Sequence, residues 1–173
     1  MARLNKLKKA QSSIEMSFGT IFSIILMILF LVVAFIAIRY FFGIQKCAKV
    51  GIFCDNFQSE VDSTWYTQGG EFLFKASVPN GVEEICFADL SRLIKGPSES
   101  IGDEISIYKG EKTNTFIYPI EEACEMPYKN VNHLDMQDII ANENPYCVRV
   151  NGGNVNIKLK KEFNQKLVSA SRA

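Results

Sequence analysis

From Ile21 to Ile38 the chain runs eighteen residues without a charge. As a helix rising 1.5 Å per residue, such a run spans roughly 27 Å, close to the hydrocarbon thickness of a bilayer. The apolar core of a secretory signal is shorter, about 7–15 residues, and ends at a small-residue cleavage site. Here the run ends in Arg39-Tyr40-Phe41-Phe42, an interfacial anchor sequence. A retained transmembrane helix in contact with membrane lipid is therefore expected. Arg3, Lys6, Lys8 and Lys9 precede it, and no acid occurs among the first fourteen residues. The positive-inside rule then places the amino terminus in the cytosol and everything beyond Tyr40 outside, as a single-pass protein of the cell membrane.

A plain anchor gives no reason for a carboxylate where the hydrophobic stretch begins. Lys8-Lys9-Ala10 leads into Gln11, Ser13 and Glu15 at the mouth of the apolar helix. This pattern resembles the class III signal peptide of archaeal type IV pilin-like proteins. The resemblance covers about the first forty residues. It implies cleavage of the Ala10–Gln11 bond by a prepilin-type peptidase on the cytoplasmic side, with the helix kept as membrane anchor and filament core. It also implies homo-oligomers or other pilin-like subunits as partners. Under that reading Glu15 has a specific role in assembly. It lies four residues beyond the new Gln11 amine, on the same helix face, or it neutralises a neighbour's amine inside an apolar bundle. The plainer alternative is an interfacial glutamate paired with Lys8 or Lys9.

The expected division is a basic leader over 1–10, a transmembrane, pilin-like helix over 11–49 and an extracytoplasmic head over 50–173, large enough for one compact domain. The segment from Tyr40 onward carries 14 Lys and Arg against 18 Asp and Glu, although the whole chain sums to zero. The head is thus mildly acidic, and no basic strip interleaved with aromatics supports nucleic-acid binding.

Cys47, Cys54, Cys86, Cys124 and Cys147 all lie beyond the apolar helix, where disulfides persist. Five is an odd number, so two intramolecular bridges and one leftover thiol are expected. Cys47 and Cys54 could pair only if the helix breaks, at Gly51, because seven residues of unbroken helix separate them by about 10.5 Å. The second bridge would come from Cys86, Cys124 and Cys147. No C-x-x-C occurs, and the single histidine, His133, reads as a surface or capping residue rather than a metal ligand.

Phe57, Val61 and Trp65 form one stripe of an amphipathic helix over 55–66, with Asp55 as N-cap and Gln68-Gly69-Gly70 as its end. Trp65 reads as a core anchor in preference to a ligand platform. Period-two alternation then predicts three antiparallel hairpins. These are 71–78 with 82–87 around Pro79-Asn80-Gly81, 104–108 with 115–120, and 146–150 with 155–159. A loop is expected over 92–102, a short helix over 134–141, and a frayed tail over 162–173. The fold class is α+β: a long helix followed by a small, mostly antiparallel β-rich domain.

Catalytic patterns are missing: Ser-His-Asp chemistry would depend on His133 alone, and no G-x-S-x-G, Walker A or H-E-x-x-H is present. The acid pairs Glu83-Glu84 and Glu121-Glu122 read as solvated strand edges. A structural surface subunit without cofactor is the leading expectation. A single-pass surface protein with a ligand-binding or sensory head is the other, and an enzyme is not expected.

Overall fold

A computed structural model describes the backbone from Ala2 and side chains from Phe18 to Ala173. The first element, α1, is a helix over Ala2–Tyr66. The chain divides into two compact units, Met1–Ile44 and Gln45–Ala173. In the first, every side chain from Phe18 to Ile44 is exposed, with apolar residues on all sides of the helix. In the second, the helix becomes amphipathic. Val50, Phe53, Cys54, Phe57 and Val61 recur at helical spacing and are buried, while Lys49, Ile52, Asn56, Ser59 and Ser63 face out.

Two expectations about this segment are corrected. Gly51 does not break the helix, and Asp55 is not an N-cap, because α1 continues through both. Intrinsic propensity makes glycine a poor helix former, but the apolar stripe on either side of it is buried as one surface. That packing outweighs a local cost of about 1 kcal/mol.

The second unit is completed by β1 (Gly70–Ser77), β2 (Glu84–Phe87), α2 (Glu99–Ile105), β3 (Thr115–Tyr118), β4 (Tyr128–Lys129), α3 (Met136–Ile139), β5 (Tyr146–Arg149), β6 (Asn154–Lys161) and β7 (Ser169–Arg172). They form two antiparallel sheets, one ordered β1-β6-β7 and the other β4-β3-β2-β5. This is the α+β arrangement expected from the sequence. The hairpins are a different matter. β1 and β2 lie in separate sheets, as do β5 and β6, and residues 104–108 are helical. The tail does not fray either, since β7 pairs with β6.

The alternation along each strand has a simple cause. In β2, Ile85 and Phe87 face the main core with Val148 and Ile117, while Glu84 and Cys86 face the opposite side. Phe57 of α1 touches Phe74 of one sheet at 5.2 Å and Phe87 of the other at 5.7 Å between ring centroids. One aromatic on the helix therefore joins both sheets. The other face of the four-stranded sheet is covered by α2, through Ile101 and Ile105 packed with Phe116 and the Cys86–Cys147 pair. Asn144, 1 % exposed, holds the approach to α2. Its side chain accepts from the Asp89 amide and donates to the Asp89 and Leu93 carbonyls.

Candidate functional site

The apolar helix is the first candidate. Among the described residues it is the one helix long and apolar enough to cross a membrane, by length and composition. At the carboxyl end of the apolar run, the Arg39 guanidinium folds over the Phe35 ring at 4.9 Å, keeping its charge while covering apolar surface. Ala10, Gln11 and Glu15, the residues of the leader motif, lie outside the residues whose side chains are described.

The second candidate lies within the second unit, where residues 122–133 pack along the 46–65 stretch of α1, here called the stalk. Residues 122–133 run alongside α1 in the same direction as the helix. Lys46 pairs with Glu122, and Cys47 is disulfide-bonded to Cys124 with Cα atoms 5.6 Å apart. The Met126 methyl group lies beside Gly51, at 3.4 Å from where a Cβ would stand. Lys129 meets Asp55 at 2.7 Å, and the Asn132 amide donates to Gln58 Oε1 at 2.9 Å. The series ends at His133, whose Nδ1 lies 2.9 Å from Asp62. Its ring stacks on Trp65, and Trp65 Nε1 donates to the Lys166 carbonyl at 2.8 Å. Residues 122–133 thus form a strap along the stalk.

The strap decides the disulfides. Two intramolecular bridges exist, but Cys47–Cys54 is not one of them, because the helix between them is continuous. Cys124 takes Cys47 instead. The other bridge, Cys86–Cys147, joins directly opposed residues of β2 and β5. Cys54 keeps its thiol, buried in the core, and burial pushes its pKa up. Trp65 packs partly buried against the core, as an anchor would. His133 is more than a surface residue, since it joins the strap to both Asp62 and Trp65. In the sequence it stands alone between Asn132 and Leu134, which gives no hint of a partner 71 residues away.

The third candidate is a groove of about 410 Å³ where the sheet emerges from under α2. Glu84, Cys147 and Arg149 meet Ser98, Ser100 and Arg172 there. Arg172 is held in place: Nε donates to the Cys147 carbonyl at 2.9 Å, one Nη reaches Glu143 at 2.6 Å, and the guanidinium lies over Tyr146 at 4.5 Å. Arg149 is loosely held, 3.6 Å from Glu84. Opposed charges make the groove polar without a strong net field, so hydrogen bonding to a polar ligand is the chemistry it can offer. Nearby, Tyr118 donates to Glu104 at 3.2 Å; desolvation first, then that bond, raises its pKa.

Glu84, Cys86 and Cys147 come within 4.8 Å of one another, the spacing of a metal site. Both sulfurs are consumed in the disulfide, so no thiolate remains to ligate. Of the acid pairs, Glu83 precedes β2 and Glu84 opens it, but β2 lies between β3 and β5 and is not a strand edge, and Glu84 faces Arg149 of β5. Glu121 and Glu122 lie in a 3-10 turn, not on a strand edge, and Glu122 is engaged by Lys46. No family model matches the chain, and no curated protein or solved structure matches it either.

Proposed function

We propose that this chain is a pilin-like structural subunit of the cell surface. The helix anchors it in the membrane, a prepilin-type peptidase releases the leader at Ala10–Gln11, and subunits associate through their helices with the head displayed outside. The observation that carries this reading is the helix from Phe18 to Ile44, apolar on every side and exposed throughout, directly behind the Gln11, Ser13 and Glu15 motif. A helix apolar all round needs lipid or other helices around it. The head supports the same reading, because a disulfide-bonded strap suits an exposed subunit attached through its stalk.

A second reading is a single-pass protein that never assembles and whose head binds a ligand. The groove beside Arg149 favours it.

The deciding experiment is the amino-terminal sequence of protein purified from membranes. Chains starting at Gln11 support the pilin-like reading; uncleaved chains overturn it. Glu15→Gln then separates assembly from anchoring. Cross-linked ladders should weaken while membrane level holds, and ladders unchanged at equal expression count against a role for Glu15 in assembly.

A further inference from the structure

β1 ends its sheet: β6 pairs along one side of it, and among the described residues no strand pairs along the other. Eight residues of open edge without proline are an invitation to another strand. The outward face of β1 carries Glu71, Leu73 and Lys75, all exposed, and Leu73 is 49 % exposed. The inward face carries Phe72, 37 % exposed, and Phe74, which is buried against Phe53 and Phe57.

We propose that β1 pairs antiparallel with β1 of a second copy of this chain, about a two-fold axis at Leu73. The sequence Glu71-Phe72-Leu73-Phe74-Lys75 is self-complementary in that register. Glu71 stands opposite Lys75 of the second copy, twice. Leu73 meets Leu73 on the outward face, and Phe72 meets Phe74 on the inward one. Residues directly opposed in such a pair have Cβ atoms about 4.5–5.5 Å apart, within reach of an ion pair. In the single chain, Glu71 already pairs with Lys158 at 3.2 Å, while Lys75 has no ion pair among the described residues. The second copy supplies one.

Register is specified as well as allowed. Faces match only when odd-numbered residues oppose odd-numbered ones. The nearest such slips set the charges against Leu73, Ser77 or Gly69, and the next oppose Lys75 to Lys75 or Glu71 to Glu71. A lone edge lysine ordinarily discourages pairing; here a glutamate four residues earlier converts it into a selective device. The pairing goes beyond the helix-driven assembly proposed above and does not rest on it.

A strand pair of this size buries less than a standard interface, so association is concentration dependent and best trapped covalently. Full-length protein in detergent micelles, with Cys54→Ser to remove the native thiol, receives Leu73→Cys and is mildly oxidised. Two cysteines on the axis fall within disulfide range, and a covalent dimer is expected. Asn156→Cys, exposed on the inner strand β6, should cross-link at least about tenfold more slowly. Adding Glu71→Lys to Leu73→Cys should slow dimer formation by a similar factor, and adding Lys75→Glu to that chain should restore it. The restored chain also proves that the reversed one fails through charge and not through misfolding. Equal rates for Leu73→Cys and Asn156→Cys overturn the proposal. So do a reversal without effect, a double reversal that does not recover, and a Leu73→Cys chain that stays monomeric.

Discussion

The indole of Trp65 lies flat on the imidazole of His133, with ring centroids 3.9 Å apart and planes 7° from parallel. His133 holds this position in a left-handed backbone conformation, φ 66°, which asparagine tolerates and β-branched residues do not. His133→Asn should therefore remove the stack and the Asp62 contact while keeping the turn, costing about 1 kcal/mol. His133→Val should cost about 1–2 kcal/mol more from backbone strain. Chemical denaturation gives the energies. Emission from Trp65, the only tryptophan, reports the lost stack in both variants. Equal stability of the two variants would refute the conformational part.

The Cys47–Cys124 bridge closes a loop between residues 77 positions apart. Replacing both by serine should lower unfolding stability by about 2–5 kcal/mol. Thermal melts of the double variant provide the measurement. Peptide mapping under non-reducing conditions should recover Cys47 with Cys124 and Cys86 with Cys147. Recovery of a Cys47–Cys54 peptide would contradict the continuous helix.

Burial raises the Cys54 pKa more than the nearby Lys129 lowers it, and Asp55 adds to the rise. The fold thus prefers the neutral thiol. Its contribution is fully present below the unfolded thiol's pKa, roughly 8.5. Above that the unfolded chain loses its proton first, and stability declines as pH rises towards the folded value. Denaturant midpoints from pH 7 to 9.5 should fall more steeply for the parent than for Cys54→Ala. Parallel slopes would assign the decline to other groups. In the same range the native thiol should resist alkylation until the protein is unfolded.

Thr64 is 1 % exposed, and its hydroxyl has no hydrogen-bond partner among the described residues. Thr64→Val keeps the shape and removes the orphaned group, so it should stabilise the domain by about 1 kcal/mol. A loss of stability in the same assay would mean that the hydroxyl is satisfied in solution.

How legible this protein was depends on how local each feature is. The apolar helix, the stripe of Phe57, Val61 and Trp65, and the strand at 71–78, seen as Gly70–Ser77, follow from patterns within one contiguous stretch of fewer than twenty residues, and they are present. Strand partners do not follow from spacing. Pro79-Asn80-Gly81 does turn the chain, but it carries β1 of one sheet into β2 of the other, because Ile85 and Phe87 find their neighbours in β3 and β5. The Asn151 to Asn154 turn likewise passes from β5 to β6 without pairing them as a ladder. Cys124 and His133 took partners 77 and 71 residues away, choices made by the packed head and not by any local pattern. Continuity of α1 through Gly51 was hidden for the same reason, since the surface that holds the helix together is contributed by distant strands.

The strap over residues 122–133 attaches at Lys46, Cys47, Asp55, Gln58 and Asp62 in ascending order along the stalk. Mechanically that is a lap joint. A pull along the helix axis loads its non-covalent attachments together in shear, with the covalent bond near one end limiting slip, whereas a sideways tug would peel the far end from His133 back to the disulfide. A disturbance across the helix should therefore loosen the non-covalent His133 end before the disulfide-bonded Cys124 end.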